Sequence, residues 1–281
     1  MLFERVTVIG IGLIGGSFAL AGREAGVLGE VIGVARSERT LLEAIHVGAA
    51  DRTTPDAVEA VRDADLVYLA TPVATIPGIM KRIAPALKSG CVVTDAGSTK
   101  RVIMAAAEEL PDDITFVGGH PMAGSEQAGV WEARSYLFHG RTYLLVPPPG
   151  AEAALTTLRE LVFAIGARPV VVSAEQHDAL VARTSHLPHL VASALANALC
   201  EVSGERDFIG NGLRDTTRIA EGPVDVWREI LLANADEVLE ALDDFIGEAE
   251  RFREALAAGD EDAVANLLDT GRKCRMRMGE Q

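Results

Sequence analysis

The stretch "VTVIGIGLIGGSFALAG", residues 6–22, decides the fold. An apolar run is followed at once by a GxGxxG pattern and then by a helical pattern. In such a turn the first glycine permits a tight bend, the second lets the backbone approach a pyrophosphate, and the third allows close packing of helix on strand. The helix N-terminus offers free N–H groups to the phosphates. The stretch therefore predicts a dinucleotide-binding turn whose cofactor contacts are Gly10, Gly12, Leu13, Ile14 and Gly15.

Short apolar runs alternate with helical patterns from this turn to Ser173. Runs that are rich in valine and isoleucine and apolar throughout are typical of strands buried on both faces. The alternation predicts the α/β class, with an N-terminal Rossmann domain over residues 1–173 whose doubly wound, mostly parallel sheet carries helices on both faces. The predicted strands are Val6–Ile9, Val31–Val34, Leu66–Ala70, Val92–Asp95, Thr115–Val117, Tyr143–Val146 and Pro169–Val172.

No strand is predicted after Ala174. One long helix is expected over residues 174–202, with Pro188 as its kink or break, and a second amphipathic pattern covers residues 226–256. Long amphipathic helices without a sheet to cover favour pairing with a second subunit, although packing within one chain is the alternative. We therefore expect residues 174–281 to form an all-α substrate and dimerisation domain, and the protein to be a homodimer.

Charge and composition narrow the class of ligand. The 281 residues carry a formal net charge of −15, which argues against nucleic acid or an anionic membrane surface as partner. No apolar run has transmembrane length, and the N-terminus predicts a strand rather than a signal peptide. The separated cysteines, Cys91, Cys200 and Cys274, fit a reducing, cytoplasmic location. An anionic ligand would need positive charge supplied locally by the site.

The end of the second predicted strand bears on the choice of nicotinamide cofactor. An NAD-selective site places Asp or Glu about 20 residues after the glycines, but here the chain has Ala35, Arg36 and Ser37. A guanidinium and a hydroxyl suit a 2′-phosphate, so NADP is favoured. NAD remains the alternative, with Arg36 stacked on the adenine, and the segment could also be a solvated turn. Thr71 and Pro72, which follow another strand, are expected at the same cofactor edge.

Two polar turns follow predicted strands at the same edge of the sheet. "FVGGHPMAGSE", residues 116–126, carries His120, and "TDAGSTK", residues 94–100, carries Ser98. The carboxyl ends of strands face the ligand crevice in open α/β sheets, so both side chains are expected near the nicotinamide.

A cluster of histidines lies further along the chain. In "HDALVARTSHLPH", residues 177–189, a helix-surface position and a functional one are equally open for His177, whereas a cleft position is favoured for His186 and His189. A metal site is not expected, because Pro188 interrupts the helix and no HExxH-type partner occurs.

The ordered set "GIGLIGGS", "ATP", "TDAGSTK", "GGHPMAGSE", "HDALVARTSHLPH", "RDTTRIA" and "VW" resembles the prephenate dehydrogenase family, including arogenate and cyclohexadienyl dehydrogenases. The resemblance runs in order over nearly the whole chain. It implies an oxidative decarboxylation in which a cyclohexadienol loses hydride to NAD(P)+ and loses CO2 to become a phenol. Prephenate is the expected substrate, giving 4-hydroxyphenylpyruvate for tyrosine biosynthesis; arogenate, or use of both, is the alternative.

The resemblance also assigns roles. His120 would accept the proton of the 4-hydroxyl, and Ser98 would bond the same hydroxyl or orient the histidine. Arg218 would bind a substrate carboxylate and Asp215 would steady it. His189 would lie near the substrate side chain, which favours prephenate because some arogenate-specific relatives carry an apolar residue there. The other residues expected to line or close the substrate pocket are Ser125, Glu126, Asp178, His186 and Trp227.

Two rival interpretations make different demands. A β-hydroxyacid dehydrogenase or imine reductase would be expected to use a lysine from a C-terminal helix, but no lysine occurs between Lys100 and Lys273. A redox sensor would not need His120, Ser98 and Arg218 together. The sequence shows no segment like a chorismate mutase bundle or a regulatory domain, so feedback by tyrosine is expected only through competition at the active site.

Overall fold

The computed structural model describes residues 1–124, 128–200 and 209–279, so the predicted positions Ser125 and Glu126 lie outside the described residues. The chain divides into two compact units, Met1–Asn234 and Ala235–Gln281. The division of the sequence at residue 173 stays a prediction. None of the described helices is long and apolar enough to cross a membrane.

The first unit is built on an eight-stranded sheet. Its strand order is β3-β2-β1-β4-β5-β6-β7-β8, and all neighbours are parallel except β6 and β7, which are antiparallel. The predicted Rossmann, doubly wound and mostly parallel sheet is confirmed, with two final strands running opposite to the first six. The strands are β1 (Phe3–Ile9), β2 (Leu28–Val34), β3 (Arg52–Thr54), β4 (Leu66–Leu69), β5 (Val92–Asp95), β6 (Thr115–Pro121), β7 (Thr142–Val146) and β8 (Arg168–Val171).

The helices of the first unit lie between and after these strands. They are α1 (Leu13–Glu24), α2 (Glu38–His46), α3 (Ala57–Ala60), α4 (Ile76–Ile83), α5 (Arg101–Ala107), α6 (Glu152–Ala164), α7 (Ala174–Val181), α8 (Leu187–Ala198), α9 (Asn211–Thr217) and α10 (Val224–Ala233). The second unit has α11 (Ala235–Ala258) and α12 (Glu261–Met278). Short 3-10 turns cover Val73–Thr75, Ala84–Ala86, Val130–Glu132 and Arg218–Glu221.

Alternating side chains of the strands form one apolar core on each face of the sheet. In β4, Leu66 and Tyr68 join the core that holds Phe18 of α1, whereas Val67 and Leu69 join the core that holds Ile76 of α4. Successive strand residues point to opposite faces, so a strand that is apolar throughout requires helices on both sides. This is the physical basis of the α/β prediction.

β3 and β6 depart most from the prediction, whereas β1 and β2 begin three residues earlier than predicted and β4, β7 and β8 differ by single residues. β3 was not predicted, because its three residues are polar and exposed or half-buried at the edge of the sheet. β6 continues past Val117, so His120 lies inside a strand and not in a turn after it. Residues 115–117 pair with β5 and residues 118–121 with β7. The glycines that suggested a turn serve close packing: a Cβ on Gly119 would lie 2.4 Å from the carbonyl oxygen of Asp95.

The long helix expected over residues 174–202 is interrupted. A π-helical turn over Ala182–His186 separates α7 from α8, and Pro188 occupies the first turn of α8. Proline lacks the N–H that an uninterrupted helix would need there, and a wider turn removes that demand. The expectation of a break near Pro188 is confirmed, and the break lies on the N-terminal side of the proline.

The amphipathic pattern over residues 226–256 also forms two helices. Asn234, the last residue of the first unit, separates α10 from α11, and its fully buried side chain bonds to Asp178 of the same unit. Within the second unit, α11 packs against α12, and Gly259 and Asp260 connect the two helices. The carboxylate of Asp260 accepts the amide N–H of Ala263 in the first turn of α12. Several apolar side chains of this unit are exposed: Leu239, Phe245, Ile246, Leu256, Leu268, Met276 and Met278.

Candidate active site

The glycine-rich turn after β1 has the geometry that a dinucleotide requires. Gly10 has φ +92° and a Cβ there would lie 2.5 Å from the carbonyl oxygen of Ala70, while a Cβ on Gly15 would lie 2.4 Å from that of Gly10. Both positions therefore need glycine in the folded chain itself. A Cβ on Gly12 would meet nothing within 4 Å. Its bare backbone faces open space, which is where the motif places a pyrophosphate.

A cleft of about 510 Å³ opens beside this turn. Arg36, Ser37 and Thr40 line it from the end of β2 and the start of α2, Thr71 and Pro72 line it from the end of β4, and Arg82 reaches it from α4. No carboxylate belongs to the described residues around this cleft. The predicted cofactor residues that line the cleft are Gly10, Gly12, Arg36, Ser37, Thr71 and Pro72. Leu13, Ile14 and Gly15 lie in the first turn of α1 and are not part of its lining. Arg82 adds a second guanidinium that the sequence did not predict.

Asp95, at the end of β5, joins the loop that follows β5 to strand β6. Its Oδ2 accepts the amide N–H of Gly97 at 2.7 Å and its Oδ1 accepts that of Gly119 at 2.9 Å. The carboxylate is also ion-paired with Lys100, and both side chains are fully buried. Half-buried Ser98 follows Gly97 and His120 follows Gly119, so one carboxylate fixes the backbone beside both predicted catalytic residues.

His120 is the first member of a buried hydrogen-bonded chain. Its Nδ1 lies 2.8 Å from Nε2 of His177, and Nδ1 of His177 lies 2.7 Å from Oδ1 of Asp178. His177 and Asp178 stand at adjacent positions of α7 and are fully buried. A helix-surface position for His177 is therefore wrong, because α7 packs against α5 and β7.

Asp178 also holds the start of α5. It accepts the amide N–H of Lys100 at 2.7 Å and that of Arg101 at 2.9 Å. Buried Asn234 donates to the carbonyl oxygen of Asp178 at 2.8 Å and accepts from the guanidinium of Arg101 at 3.1 Å. These bonds join residues from the start of α5, α7 and the end of α10 into one cluster behind His120.

Burial sets the protonation states in this cluster. Burial lowers the pKa of His120 well below its usual value, and the nearby charges of His177 and Lys100 lower it further. Burial likewise lowers the pKa of His177, against the opposing hydrogen bond to Asp178. Burial raises the pKa of Asp178, but hydrogen bonds from His177 and the amides of Arg101 and Lys100 outweigh it, so the pKa is lowered overall. At neutral pH the hydrogen-bonded series thus consists of the neutral imidazoles of His120 and His177 and the carboxylate of Asp178.

A second aromatic cluster lies on α8 and α10. The ring of His189 stacks on Trp227 with centroids 3.6 Å apart, and His186 meets the same indole edge-on at 6.4 Å. Close stacking is possible because Gly222 lies against both rings; a Cβ there would lie 2.4 Å from the indole nitrogen. Nδ1 of His189 is buried and has no hydrogen-bond partner among the residues that the structure describes, and burial lowers the pKa of His189. His186 bonds at 3.3 Å to Asn234, and burial lowers its pKa to about 4.

The predicted carboxylate-binding residues are exposed. Asp215 lies in α9, and Arg218 begins the 3-10 turn Arg218–Glu221 that packs against α8. The structure thus places Arg218 beside the helix that carries His189. Their roles stay predictions.

Several residues of the site were not found by sequence reasoning. Lys100, Arg101 and Asn234 carry no local signal of function, and Asp95 was noted only as part of a turn. The pattern that could have found them is a polar residue inside an otherwise apolar element: Asp95 ends a buried strand and Asn234 interrupts an amphipathic helix. No group of three or more His, Cys, Asp or Glu side chains within residues 1–124, 128–200 and 209–279 is placed to hold a metal ion.

A Rossmann sheet with a dinucleotide turn and a neutral buried histidine at the same edge defines a nicotinamide-dependent dehydrogenase. Residues 18–171 match the family model of the prephenate dehydrogenase nucleotide-binding domain, and residues 173–270 match that of the prephenate dehydrogenase dimerization domain. The chain belongs to the prephenate dehydrogenase family, and the resemblance in its motifs is confirmed.

Individual relatives agree over the whole chain. Prephenate dehydrogenase of Bacillus subtilis is 32% identical over 97% of this chain and 75% of its own length. Cyclohexadienyl dehydrogenase of Zymomonas mobilis is 33% identical over 99% of this chain and 97% of its own. The crystal structure of prephenate dehydrogenase from A. aeolicus, in complex with hydroxyphenyl propionate and NAD+, superposes with a TM-score of 0.91 at 30% identity and 98% coverage of both chains.

Proposed function

We propose that this dehydrogenase oxidatively decarboxylates prephenate to 4-hydroxyphenylpyruvate, a step of tyrosine biosynthesis in the cytoplasm. The observation that carries the proposal is membership of the prephenate dehydrogenase family across both halves of the chain. Bound NAD(P)+ would accept the hydride released from the carbinol carbon. Loss of CO2 and formation of the aromatic ring make the overall reaction favourable.

The protein's own residues bind the substrate and provide one proton acceptor. His120 is neutral because burial lowers its pKa, so its free lone pair can accept the 4-hydroxyl proton as the hydride leaves. Ser98, on the neighbouring loop fixed by Asp95, would bond the same hydroxyl or orient the histidine. Arg218, steadied by Asp215, would bind a substrate carboxylate, for which a guanidinium offers paired donors. Trp227, His186, Ser125 and Glu126 would shape the rest of the pocket.

Prephenate is favoured over arogenate by the environment of His189. A buried imidazole that is stacked on Trp227 and whose Nδ1 has no partner within the described part of the chain can bond to the polar end of the substrate side chain. An unpaired buried polar atom costs free energy until a ligand satisfies it. The pyruvyl group of prephenate, with its oxygen acceptors, suits a neutral imidazole. Arogenate, or use of both substrates, is the alternative, and a cyclohexadienyl dehydrogenase is among the similar proteins.

One assay tests the substrate. Purified protein would be given prephenate or arogenate with NAD+ or NADP+, and the reduced nicotinamide followed by absorbance. Turnover of prephenate with a higher kcat/KM than arogenate is expected. Absence of signal in all four combinations would refute the proposed reaction.

For the cofactor we propose NADP+, with NAD+ as the alternative. Arg36, Ser37, Thr40 and Arg82 line one end of the cleft, and the described residues lining it include no acid. Two guanidiniums and two hydroxyls suit a 2′-phosphate, whereas a ribose 2′-hydroxyl is usually held by a carboxylate. Arg36→Ala is expected to weaken NADP+ binding about tenfold or more while changing NAD+ binding little, with Arg39→Ala on the neighbouring exposed surface as control. Equal losses for both cofactors would indicate adenine stacking instead.

The proposed partner is a second copy of the chain. We propose that residues 1–173 bind the dinucleotide and that residues 174–281 bind substrate and form a homodimer through their helices. The match to a dimerization domain and the exposed apolar side chains of α11 support it. Sedimentation of the wild type should give twice the monomer mass, and Phe245→Glu should shift it towards the monomer. A monomeric wild type would contradict the proposal.

A further inference from the structure

The hydrogen-bonded chain behind His120 has one consistent arrangement of protons. An ionised carboxylate only accepts hydrogen bonds, so Asp178 requires a proton on Nδ1 of His177. A neutral imidazole carries one N–H, so Nε2 of His177 is then an acceptor. That acceptor lies 2.8 Å from Nδ1 of His120, which must therefore carry the proton of its own ring. The unprotonated atom of His120 is Nε2.

We infer that His177 and Asp178 are positioning residues that hold His120 in the tautomer whose Nε2 is the base. The inference rests on the proposed function for its chemistry. In the reaction, the proton of the substrate hydroxyl moves to Nε2 of His120 while the carbinol carbon loses hydride to the nicotinamide. The imidazolium that forms keeps its Nδ1 proton bonded to His177, and the carboxylate of Asp178 stabilises the new charge through that ring.

The position of the carboxylate supports this role over a purely structural one. The carboxylate of Asp178 is held in place by the amides of Lys100 and Arg101, so it cannot rotate away from His177. The environment of the carboxylate favours its ionised form, which is the form that orders the tautomers. If His177 served packing alone, its two ring nitrogens would not need to be aligned between His120 and the carboxylate of Asp178.

The first test reads the tautomer directly. In protein labelled with 15N-histidine, the ring nitrogens of His120, assigned by comparison with His120→Asn, should show a protonated Nδ1 and an unprotonated Nε2 near neutral pH. A protonated Nε2 in the resting wild type would overturn the inference. This measurement needs no substrate, so it stands even if prephenate proves not to be turned over, and it separates failure of the inference from failure of the proposed function.

The second test compares two replacements of His177. Glutamine can accept from His120 with its oxygen and donate to Asp178 with its nitrogen, whereas leucine can do neither. His177→Leu should lower kcat about 100-fold with little change in KM or cofactor affinity, and His177→Gln should restore part of the loss. His46→Leu, at an exposed histidine, is the matched control and should retain wild-type kinetics.

The outcomes divide cleanly. Wild-type turnover by a folded His177→Leu, or equal losses in the leucine and glutamine variants, would overturn the inference. If the leucine variant does not fold, the ring-nitrogen spectra of wild type and His177→Gln decide, because both are expected to keep the proton on Nδ1 of His120.

Discussion

The cofactor cleft and the histidine cluster are neighbouring parts of one sheet edge, but they are built in opposite ways. The cleft is open, and the polar side chains that line it are half-buried or exposed. The cluster is closed: His177, Asp178, Lys100 and Asn234 are all fully buried and bonded to one another.

The difference follows from what each region binds. A dinucleotide is large and must enter and leave, so its site needs space and backbone N–H groups. A general base must have one position and one protonation state, so its site needs fixed partners in a low-dielectric interior. Changes in the cleft should therefore act on cofactor affinity, and changes in the cluster on turnover or stability.

The largest expected effect is on turnover. His120→Asn removes the proton acceptor and should lower kcat by about 10²–10⁴-fold. Cofactor affinity should stay near that of the wild type, because His120 does not line the cleft beside the glycine turn. Steady-state absorbance measures kcat, and titration with cofactor followed by fluorescence measures the affinity. His139→Asn, at an exposed histidine, is the control, and activity surviving in His120→Asn would refute the catalytic assignment.

Two alanine substitutions in the turn should separate binding from folding. Gly15→Ala places a Cβ 2.4 Å from the backbone oxygen of Gly10 and should destabilise the fold by about 1–3 kcal/mol. Gly12→Ala meets open space, so its free energy of unfolding should change little while the cofactor Kd rises about tenfold or more, since the methyl occupies the approach of the pyrophosphate. Urea unfolding and cofactor titration provide the measurements. Equal loss of stability in both variants would contradict the distinction.

The junction between α10 and α11 tests the cluster without touching the proposed reaction. Asn234→Ala leaves the carbonyl oxygen of Asp178 and the guanidinium of Arg101 without this partner, at a cost of about 1–3 kcal/mol. Asn266→Ala, at an exposed position of α12, is the matched control, and its unfolding midpoint should remain close to that of the wild type. Similar midpoints for the two variants would show that the buried amide is not needed.

The smallest expected effect is on the pH profile. Burial lowers the pKa of His120, so the neutral base persists below the ordinary histidine pKa of about 6.5. Activity should be level from neutral pH down past that value, and kcat/KM should fall only where the depressed pKa is reached. An acid limb centred at or above about 6.5 would contradict the burial argument. The profile should be fitted as that of a coupled group, because His177 shares the site.

The sequence predicted the sheet well and the cluster poorly. Val92–Asp95 is a strand with the predicted bounds, because its first three residues, two valines and a threonine, are β-forming and lie between turn signals. β3 was missed because a short edge strand buries too little apolar surface to leave a pattern. The sequence did not decide whether His177 lies on the helix surface or in the functional site. A helix of two turns is too short to show which face is buried until the elements packed against it are known.

By itself the sequence determined the α/β class, the nucleotide turn and the family. Each of those features is built from short motifs whose residues lie within a few positions of one another, and the order of the motifs along the chain does the rest. Only the tertiary structure decided what His120 bonds to. Its partner His177 is 57 positions away, Asp178 reaches the amide of Lys100 across 78 positions, and Asn234 reaches Asp178 across 56. Hydrogen bonds of that separation are set by how the sheet and helices pack, and no local pattern encodes them.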